Sequence, residues 1–578
     1  MMKLFYLVFL VIISLNVFYV PHCFTDRFFT AGMLWVGLAV GVLTIVWRVV
    51  EKGKMWCTWE SGIVCLLLMG LGVWDMLERG MWQSGVYGGA LVLLMAVVCN
   101  SGKRLSFFSV CWVFALMAGA EALMALGQFA GVLKNGMQWQ AVGSFDNPAG
   151  LSAYLALAFP CVLYLFHDVL KWRRLVAGCL AGIIVFAVVL SGARTGMLVI
   201  AVEIFVTGWY VWGKKNVAVR RWFVGMAVLL VAGGIVLYYW KKDSADGRLL
   251  IWKCTADMIA DAPWFGHGIG SFNAKYMDYQ ADFFESHPDG KWPLLADNVK
   301  HPFNEFLKIC AEFGIVGLLS VCVGLWMIWR RFGQRWRRRF PLFVGLLGLL
   351  VCGLFSYPLS YPSIQVSACI LLGMILRDGK CISLGNGFCK LGIGIVALLV
   401  LAGSCFWHWK EQEWWKATQE AYPGNAEQVH DEYARLYPVM KGNPLFLYNY
   451  GAELNRLGLW KESHEITLEC LAGWNDMDVH MLLAGSLEKL GNYGQSEEHL
   501  LKASNMCPNR FMPLYRLMKL YRLQGKVKEA ESVALKIITK QVKVPSGTVD
   551  RIKREAKDLL KVSFLEERQG MNDLRKEE

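Results

Sequence analysis

Apolar residues in this chain gather in long runs broken by short charged interruptions, instead of alternating with polar residues along helix or strand faces. Thirteen runs read as membrane-crossing helices, at about residues 4–20, 28–50, 57–74, 86–99, 106–127, 148–166, 175–191, 195–212, 222–240, 311–329, 341–356, 361–376 and 390–408. Most have roughly the 17–25 residues an α-helix needs to cross the hydrocarbon of a bilayer, where every backbone polar group must be satisfied within its own segment. Two stretches contain no such run. Residues 241–310 make one long connection between spans, and the chain past about His408 turns polar and helix-forming. The pattern predicts an all-α polytopic membrane protein of about thirteen helices, with a membrane domain over 1–409 that includes the large loop 241–310. A separate helical domain follows over 410–578.

Charge adds an orientation. Basic residues follow the even-numbered runs: Arg48, Lys52 and Lys54; Lys103 and Arg104; Lys171, Arg173 and Arg174; Lys214, Lys215, Arg220 and Arg221; the stretch Arg330 to Arg339; and Arg377, Lys380 and Lys390. Positively charged loops stay on the cytoplasmic side. The N-terminus is therefore expected in the cytoplasm of a bacterial cell, and the loop 241–310 and the C-terminal domain on the periplasmic face of the inner membrane. Composition agrees: the 578 residues are 56% hydrophobic and only 18% charged, against about 25% in a soluble protein, and mean hydropathy is +0.38. A net charge of +13 could suggest nucleic acid, but the charge is spread over loops, so no nucleic-acid partner is expected. The 17 cysteines include no CxxC pair, so zinc and thioredoxin motifs lack their spacing. The first run lacks a small-residue cleavage site before "PHCFTD" and reads as a retained span.

The C-terminal domain repeats itself. "LNRLGLWKESHEITLECL" (454–471), "LEKLGNYGQSEEHLLKAS" (487–504) and "YRLQGKVKEAESVALKII" (521–538) align on Gly458, Gly491 and Gly525. Each has leucine or glutamine before the glycine, a bulky residue two after it, and a small residue five after it (Ser463, Ser496, Ala530). A period of about 34 residues resembles tetratricopeptide repeats, helix–turn–helix units that stack because none buries its apolar face alone; a generic helical bundle is the alternative. Such arrays bind peptides or proteins, so a protein partner is expected here. The end of the chain, from Arg551, reads as a capping helix.

Ionisable residues inside membrane segments are costly and are candidate functional residues. Glu121 and Gln128 lie two turns apart on the fifth run, so both face one side; Glu121 either lines a cavity or pairs with a basic side chain. Arg194, in "LSGARTGML", lies on the side away from the basic loops and beside a helix start, a setting that suits an anion; an arginine reaching for the interface is the alternative. Arg248 begins an amphipathic helix running to about Asp261, where either an anion or Asp246 or Asp257 takes its charge. Gly266, Gly268 and Gly270 after Pro263 read as a tight irregular turn, not a dinucleotide-binding fingerprint. In "KHPFNEFLKICAEFGIVGLL" (300–319), His301 precedes a proline, which excludes it from the helical region. Proline suits the first helical turn, so the helix is expected to start at Pro302, with His301 at its N-cap and Asn304 and Glu305 in the first turn. An imidazole there can act as a base near neutral pH, or simply cap the helix.

Taken in order, "GSFDNPAGLSAYLALAFP" (143–160), "LSGARTGML" (190–198), "GRLLIWKCTADMIADAPWFGHGIGSFNAKY" (247–276) and "HPFNEFLKICAEFGIVG" (301–317) resemble the O-antigen ligase/polymerase superfamily, which includes bacterial O-linked protein oligosaccharyltransferases. The resemblance covers about residues 100–375. It implies a glycosyltransferase-C-like membrane fold and en bloc transfer of a glycan from undecaprenyl diphosphate to an acceptor hydroxyl, on lipid or protein, at the periplasmic face. It implies neither metal nor other cofactor. By the same resemblance Arg194 and Arg248 bind the diphosphate and His301 is the catalytic base, with Asn304 and Asn147 as supporting residues; Glu305, Glu121 and Gln128 join them as supporting candidates on their positions alone. Asn304 is separated from Gly314 and Gly317 by the nine residues Glu305 to Phe313, which matches the family's loop motif. Two positions depart from it. The family often has histidine directly before the asparagine, where this chain has Phe303, and a second histidine two residues earlier, where His301 falls. "DNPAG" has Ala149 where asparagine is frequent. A polysaccharide polymerase of the same superfamily is the nearest alternative. A lipid-linked sugar flippase fits less well, because it would want charges at the bilayer midplane rather than a histidine at the end of a large loop.

Overall fold

The computed structural model of the chain describes residues 2–51, 55–134, 136–166, 170–212, 217–240, 242–333, 336–377, 381–384, 388–420 and 426–561. Lys52, Lys54, Lys214, Lys215, Arg335 and Lys380 of the basic loops, and the end of the expected capping helix, 562–578, lie outside the described residues. The protein is all-α but for one short ribbon: among the described residues the strands Met55–Thr58 and Cys381–Leu384 pair antiparallel, Met55 opposite Leu384 and Thr58 opposite Cys381. The ribbon moves the start of the third span from 57 to Trp59, because Thr58 ends the strand and caps the helix Trp59–Arg79 in a reciprocal capping box with Ser61.

The chain forms two compact units. The first comprises Met1–Trp240, Phe303–Ile309 and Val316–Gln419; the second comprises Lys241–Pro302, Cys310–Ile315 and Glu420–Glu578. Nine helices among the described residues are long and apolar enough to cross a membrane. They are Thr30–Val50, Trp59–Arg79, Trp82–Asn100, Phe107–Phe129, Pro148–Leu165, Lys171–Ser191, Arg194–Trp212, Glu305–Arg330 and Lys390–Glu420. Four shorter apolar helices accompany them: Met2–Phe18, Arg221–Gly234, Phe340–Phe355 and Pro362–Leu376. This is a multi-pass membrane protein. Pro148–Leu165 is its centre, packed by Phe107–Phe129, Lys171–Ser191, Arg194–Trp212 and Trp336–Phe355. Its small residues Gly150, Ala153, Ala156 and Ala158 let the neighbours approach. Asn147 caps it ahead of Pro148, its side-chain oxygen accepting from the amides of Ala149 and Gly150.

The second unit holds the large loop together with the C-terminal helices. The loop supplies Lys242–Asp261, Ser271–Ser286 and the single turn Trp292–Leu295; the amphipathic helix expected from Arg248 thus begins a turn and a half earlier. The C-terminal part is a series of antiparallel pairs, Pro444–Leu457 with Trp460–Leu471, Met477–Lys489 with Tyr493–Met506, and Met512–Leu523 with Val527–Thr539. Ala426–Met440 precedes them and a helix over 547–561 follows. The aligned glycines turn each pair, with φ of +81° at Gly458, +79° at Gly491 and +74° at Gly525, the left-handed conformation that ends helices. The aligned small residues are buried, and two make the same contact: Ser463 donates to the Gly451 carbonyl and Ser496 to that of Ala484, each twelve residues back.

Candidate functional site

In the membrane unit, Glu121 and Gln128 do face one side, and what they face is backbone. Gln128 accepts from the amides of Val142 (3.0 Å) and Gly143 (2.8 Å) through Oε1 and donates to the Gly143 carbonyl (2.7 Å) through Nε2. Glu121 accepts from the Ser144 amide at 3.1 Å and lies 2.6 Å from its Oγ. The strap Val142–Phe145 is thereby fixed to the helix Phe107–Phe129, and the glycine in it is required: at φ +61°, a Cβ on Gly143 would stand 2.3 Å from Glu121 Oε2. These two residues position the strap, a use that neither the cavity nor the basic-partner reading foresaw.

The strap delivers Asp146 and Asn147 to a polar cluster. Asn147 Nδ2 lies within hydrogen-bond distance of Tyr361 Oη (2.8 Å), Tyr357 Oη (3.0 Å) and Asp146 Oδ1 (2.9 Å). Tyr361 donates to Asp146 Oδ1 at 2.8 Å. Burial holds the Asp146 carboxyl above the usual carboxylate range, and burial with the neighbouring Tyr357 and Asp146 raises the Tyr361 phenol. Glu305 completes the frame: its Oε1 accepts from the Leu359 amide at 2.8 Å, tying its helix to the turn that carries both tyrosines. Two phenols, a carboxyl and a carboxamide in one patch can bind a hydroxyl-rich or anionic group.

The turn ahead of Glu305 differs from expectation. The helix starts at Glu305, not at Pro302, and its cap is Asn304, whose Oδ1 accepts from the amides of Phe306 (2.9 Å) and Leu307 (3.1 Å). The physical reason is Phe303. It has φ +53°, the one non-glycine residue in the left-handed region among those described, so the chain reverses between Pro302 and Asn304. The Phe303 ring sits edge-on to Tyr357 at 5.3 Å. His301 therefore lies three residues outside the cap.

Within the second unit, the residues just before Phe303 are held in turn. Trp252 Nε1 donates to the Pro302 carbonyl at 2.9 Å. Arg248 stands one turn before Trp252 on the helix Lys242–Asp261, and residues four apart share a helix face. The indole thus draws the His301–Pro302 segment to the face that bears Arg248. Asp246, a candidate partner of Arg248, is buried and takes Lys291 Nζ at 2.8 Å. The glycine turn after Pro263 grips the loop motif: the His267 amide donates to Ala311, that of Gly268 to Glu312, and that of Ile315 to Pro263. Gly314 breaks its helix there at φ +63°, ψ −161°, where a Cβ would meet the Trp264 carbonyl carbon at 2.3 Å. Arg194, in the membrane unit, opens the helix Arg194–Trp212 just after the left-handed Gly192, as the sequence suggests.

Asp146, Tyr357, Tyr361 and Trp252 were not singled out by sequence reasoning. Two prolines, Pro358 and Pro362, each directly after a tyrosine between apolar runs, were the available signal for the tyrosines.

The fold is that of a multi-pass all-α membrane protein, with a polar cluster of Asp146, Asn147, Tyr357 and Tyr361 in its first unit. Residues 179–322 match the family described as O-Antigen ligase. The chain is 23% identical over 288 residues to a General O-oligosaccharyltransferase of Acinetobacter baylyi, a match covering 46% of this chain and 49% of that protein. It is 34% identical over 82 residues to a Rickettsia conorii protein whose name carries the words polysaccharide ligase, covering 14% of this chain and 19% of that one. The chain thus spans half the length or less of these curated relatives. Over residues 179–322 it is similar to the O-antigen ligase family.

Proposed function

We propose that the protein is an O-antigen ligase-like glycosyltransferase, moving a glycan en bloc from undecaprenyl diphosphate to an acceptor hydroxyl of a lipid or protein. The reaction is placed at the periplasmic face of a bacterial inner membrane, with the N-terminus cytoplasmic. The observation that supports this most is that the family match, residues 179–322, contains Arg194, Arg248, His301 and Asn304, and that Trp252, one turn from Arg248, holds the Pro302 carbonyl next to His301.

The acceptor oxygen attacks the anomeric carbon while the bond from that carbon to the diphosphate oxygen breaks. His301 takes the acceptor proton, and undecaprenyl diphosphate leaves with its added negative charge on Arg194 and Arg248. A positioned base contributes typically 10²–10⁴-fold, and fixed cations at a departing diphosphate stabilise the charge that develops there. The scheme calls on no metal. Asn304 and Glu305 fix the helix start beneath His301; Glu121, Gln128 and Asn147 fix the polar cluster. We read the C-terminal pairs as tetratricopeptide-like and as a surface for a protein partner.

The test is transfer by purified protein reconstituted with undecaprenyl-diphosphate glycan and candidate acceptors. His301→Ala and Arg248→Ala are expected to lower transfer at least a hundredfold. Transfer that survives both substitutions overturns the assignment, and products that lengthen only on the lipid-linked chain make the protein a polymerase.

A further inference from the structure

The segment that runs up to His301 is held by the repeat helices. Asp297 binds Arg510 through both carboxylate oxygens, with Nη2 at 2.7 and 3.0 Å and Nε at 3.3 Å. Asn509 Nδ2 donates to the carbonyls of Ala296 (2.5 Å) and Leu294 (3.4 Å). Asn298 accepts from the Met477 amide at 3.2 Å and donates to Asp478 Oδ2 at 3.1 Å. Gln280, on the loop helix Ser271–Ser286, donates to the carbonyls of both Asp297 (3.1 Å) and Met506 (2.6 Å). Asn475 reaches the same helix through the Asn273 carbonyl (3.0 Å) and Asp278 Oδ1 (2.9 Å). All of these groups of the repeat part sit at the start of the second helix pair, Asn475–Asp478, or at the turn after it, Met506–Arg510. The aligned features that define the repeat, the turn glycines and the small buried residues, take no part.

We propose that these two turns are a clamp that sets the position of His301 for transfer, and that Arg510 is its principal positioning residue. The inference rests on the reading of His301 given above. Leu294–Asn298 is held at three successive residues by side chains more than 170 positions away in sequence, and His301 follows Asn298 by three residues. Catalytic groups need placement within about 0.5 Å, and a 1 Å displacement from a remote change can cost about 10²-fold. The forked guanidinium on Asp297 supplies a fixed geometry that a lysine point charge does not. The repeat part is therefore an element of the reaction centre as well as a surface for partners.

The test measures transfer by the full-length reconstituted protein carrying Arg510→Lys or Arg510→Ala, per folded molecule, beside His301→Ala. Each Arg510 variant is expected to lower kcat ten- to a hundredfold, with KM for the lipid-linked donor unchanged within about twofold. Amide exchange over 294–301 is expected to quicken while that of the membrane helices stays the same. The exchanged pair Arg510→Asp with Asp297→Arg is expected to recover at least a third of the activity. An unchanged kcat in both Arg510 variants overturns the clamp, as does a rise in KM alone. If His301→Ala abolishes transfer and the Arg510 variants do not affect it, the clamp alone falls; if His301→Ala transfers normally, the reading of His301 falls first.

Discussion

Two straps lead into asparagine-capped helices, and they are held in opposite ways. Val142–Asn147 is fixed by Glu121 and Gln128, which lie 14 to 23 residues earlier on the preceding helix. Leu294–Asn304 is fixed by Trp252 about 50 residues away and by Asn509 and Arg510 more than 200 away, and it ends in a left-handed phenylalanine. The first is local at Val142–Ser144, where two side chains of the preceding helix meet its backbone, while Ser144 also donates to the Val17 carbonyl and Asn147 reaches Tyr357 and Tyr361. The second depends on the whole second unit and carries backbone strain, which collects where a structure over-determines a conformation for use. The start of the first strap is fixed by the helix before it; rigidity at the histidine turn needs the repeats.

The largest expected effect in the second unit is that of Gly314→Ala, ten residues past the second strap. The left-handed conformation is strained for any side chain, and the added Cβ meets rigid backbone at Trp264. The cost is expected to exceed about 3 kcal/mol, read as loss of folded, detergent-stable protein. Wild-type thermal stability in that variant would mean that the glycine turn does not close around the loop motif. Gln128→Ala tests the first strap. It leaves two amides and a carbonyl without partners in a buried place, at about 2–4 kcal/mol, measured as a fall in Tm. Protease cleavage within the exposed residues 286–291 should stay as in the native protein, because the two straps are held independently.

The contrast also explains what could be read from sequence. Span positions, the helix start at Arg194 and the repeat glycines follow from local pattern: apolar length, a glycine before a helix, a 34-residue period. Glu121 and Gln128 were visible as polar residues two turns apart, but their partners are backbone amides, which carry no side-chain signature. Pro302 before a helix reads as a first-turn residue, and only a positive φ at Phe303, which sequence does not favour, moves the start to Glu305. Arg510 and Asn509 were invisible as partners because nothing in a repeat pattern says which turn meets a loop more than 200 residues back.

The second strap should respond to acid through the hook at Asn475. His480 Nε2 lies 2.9 Å from Asn475 Oδ1 and its Nδ1 2.8 Å from His499 Nδ1. Since Asn475 Nδ2 donates to Asp278, its oxygen accepts, so His480 carries its proton on Nε2 and accepts from His499. Burial, then His499 and Lys502, lower His480 to about 3. The folded state keeps it neutral while the unfolded chain binds a proton below about 6.5, so this contribution is present above that pH. It is lost as pH falls towards 3, at up to about 1.4 kcal/mol per unit. Protection factors over 273–301, corrected for the intrinsic pH dependence of exchange, are expected to fall between pH 6.5 and 5, and less so in His480→Gln. An equal response in that variant would place the sensitivity elsewhere.

The smallest effect concerns Phe303 itself. Histidine tolerates positive φ better than phenylalanine and keeps an aromatic ring for Tyr357, so Phe303→His is expected to change stability by less than about 1 kcal/mol. It also places an imidazole where the family often has one. Its ring would stand against Tyr357, as the Phe303 ring does. Transfer should therefore stay within twofold of the native protein, and in a His301→Ala background Phe303→His should leave it lost. Recovery in the double variant would show that a base two residues closer to the helix serves as well, making the position of His301 an accident of sequence and not a demand of the clamp.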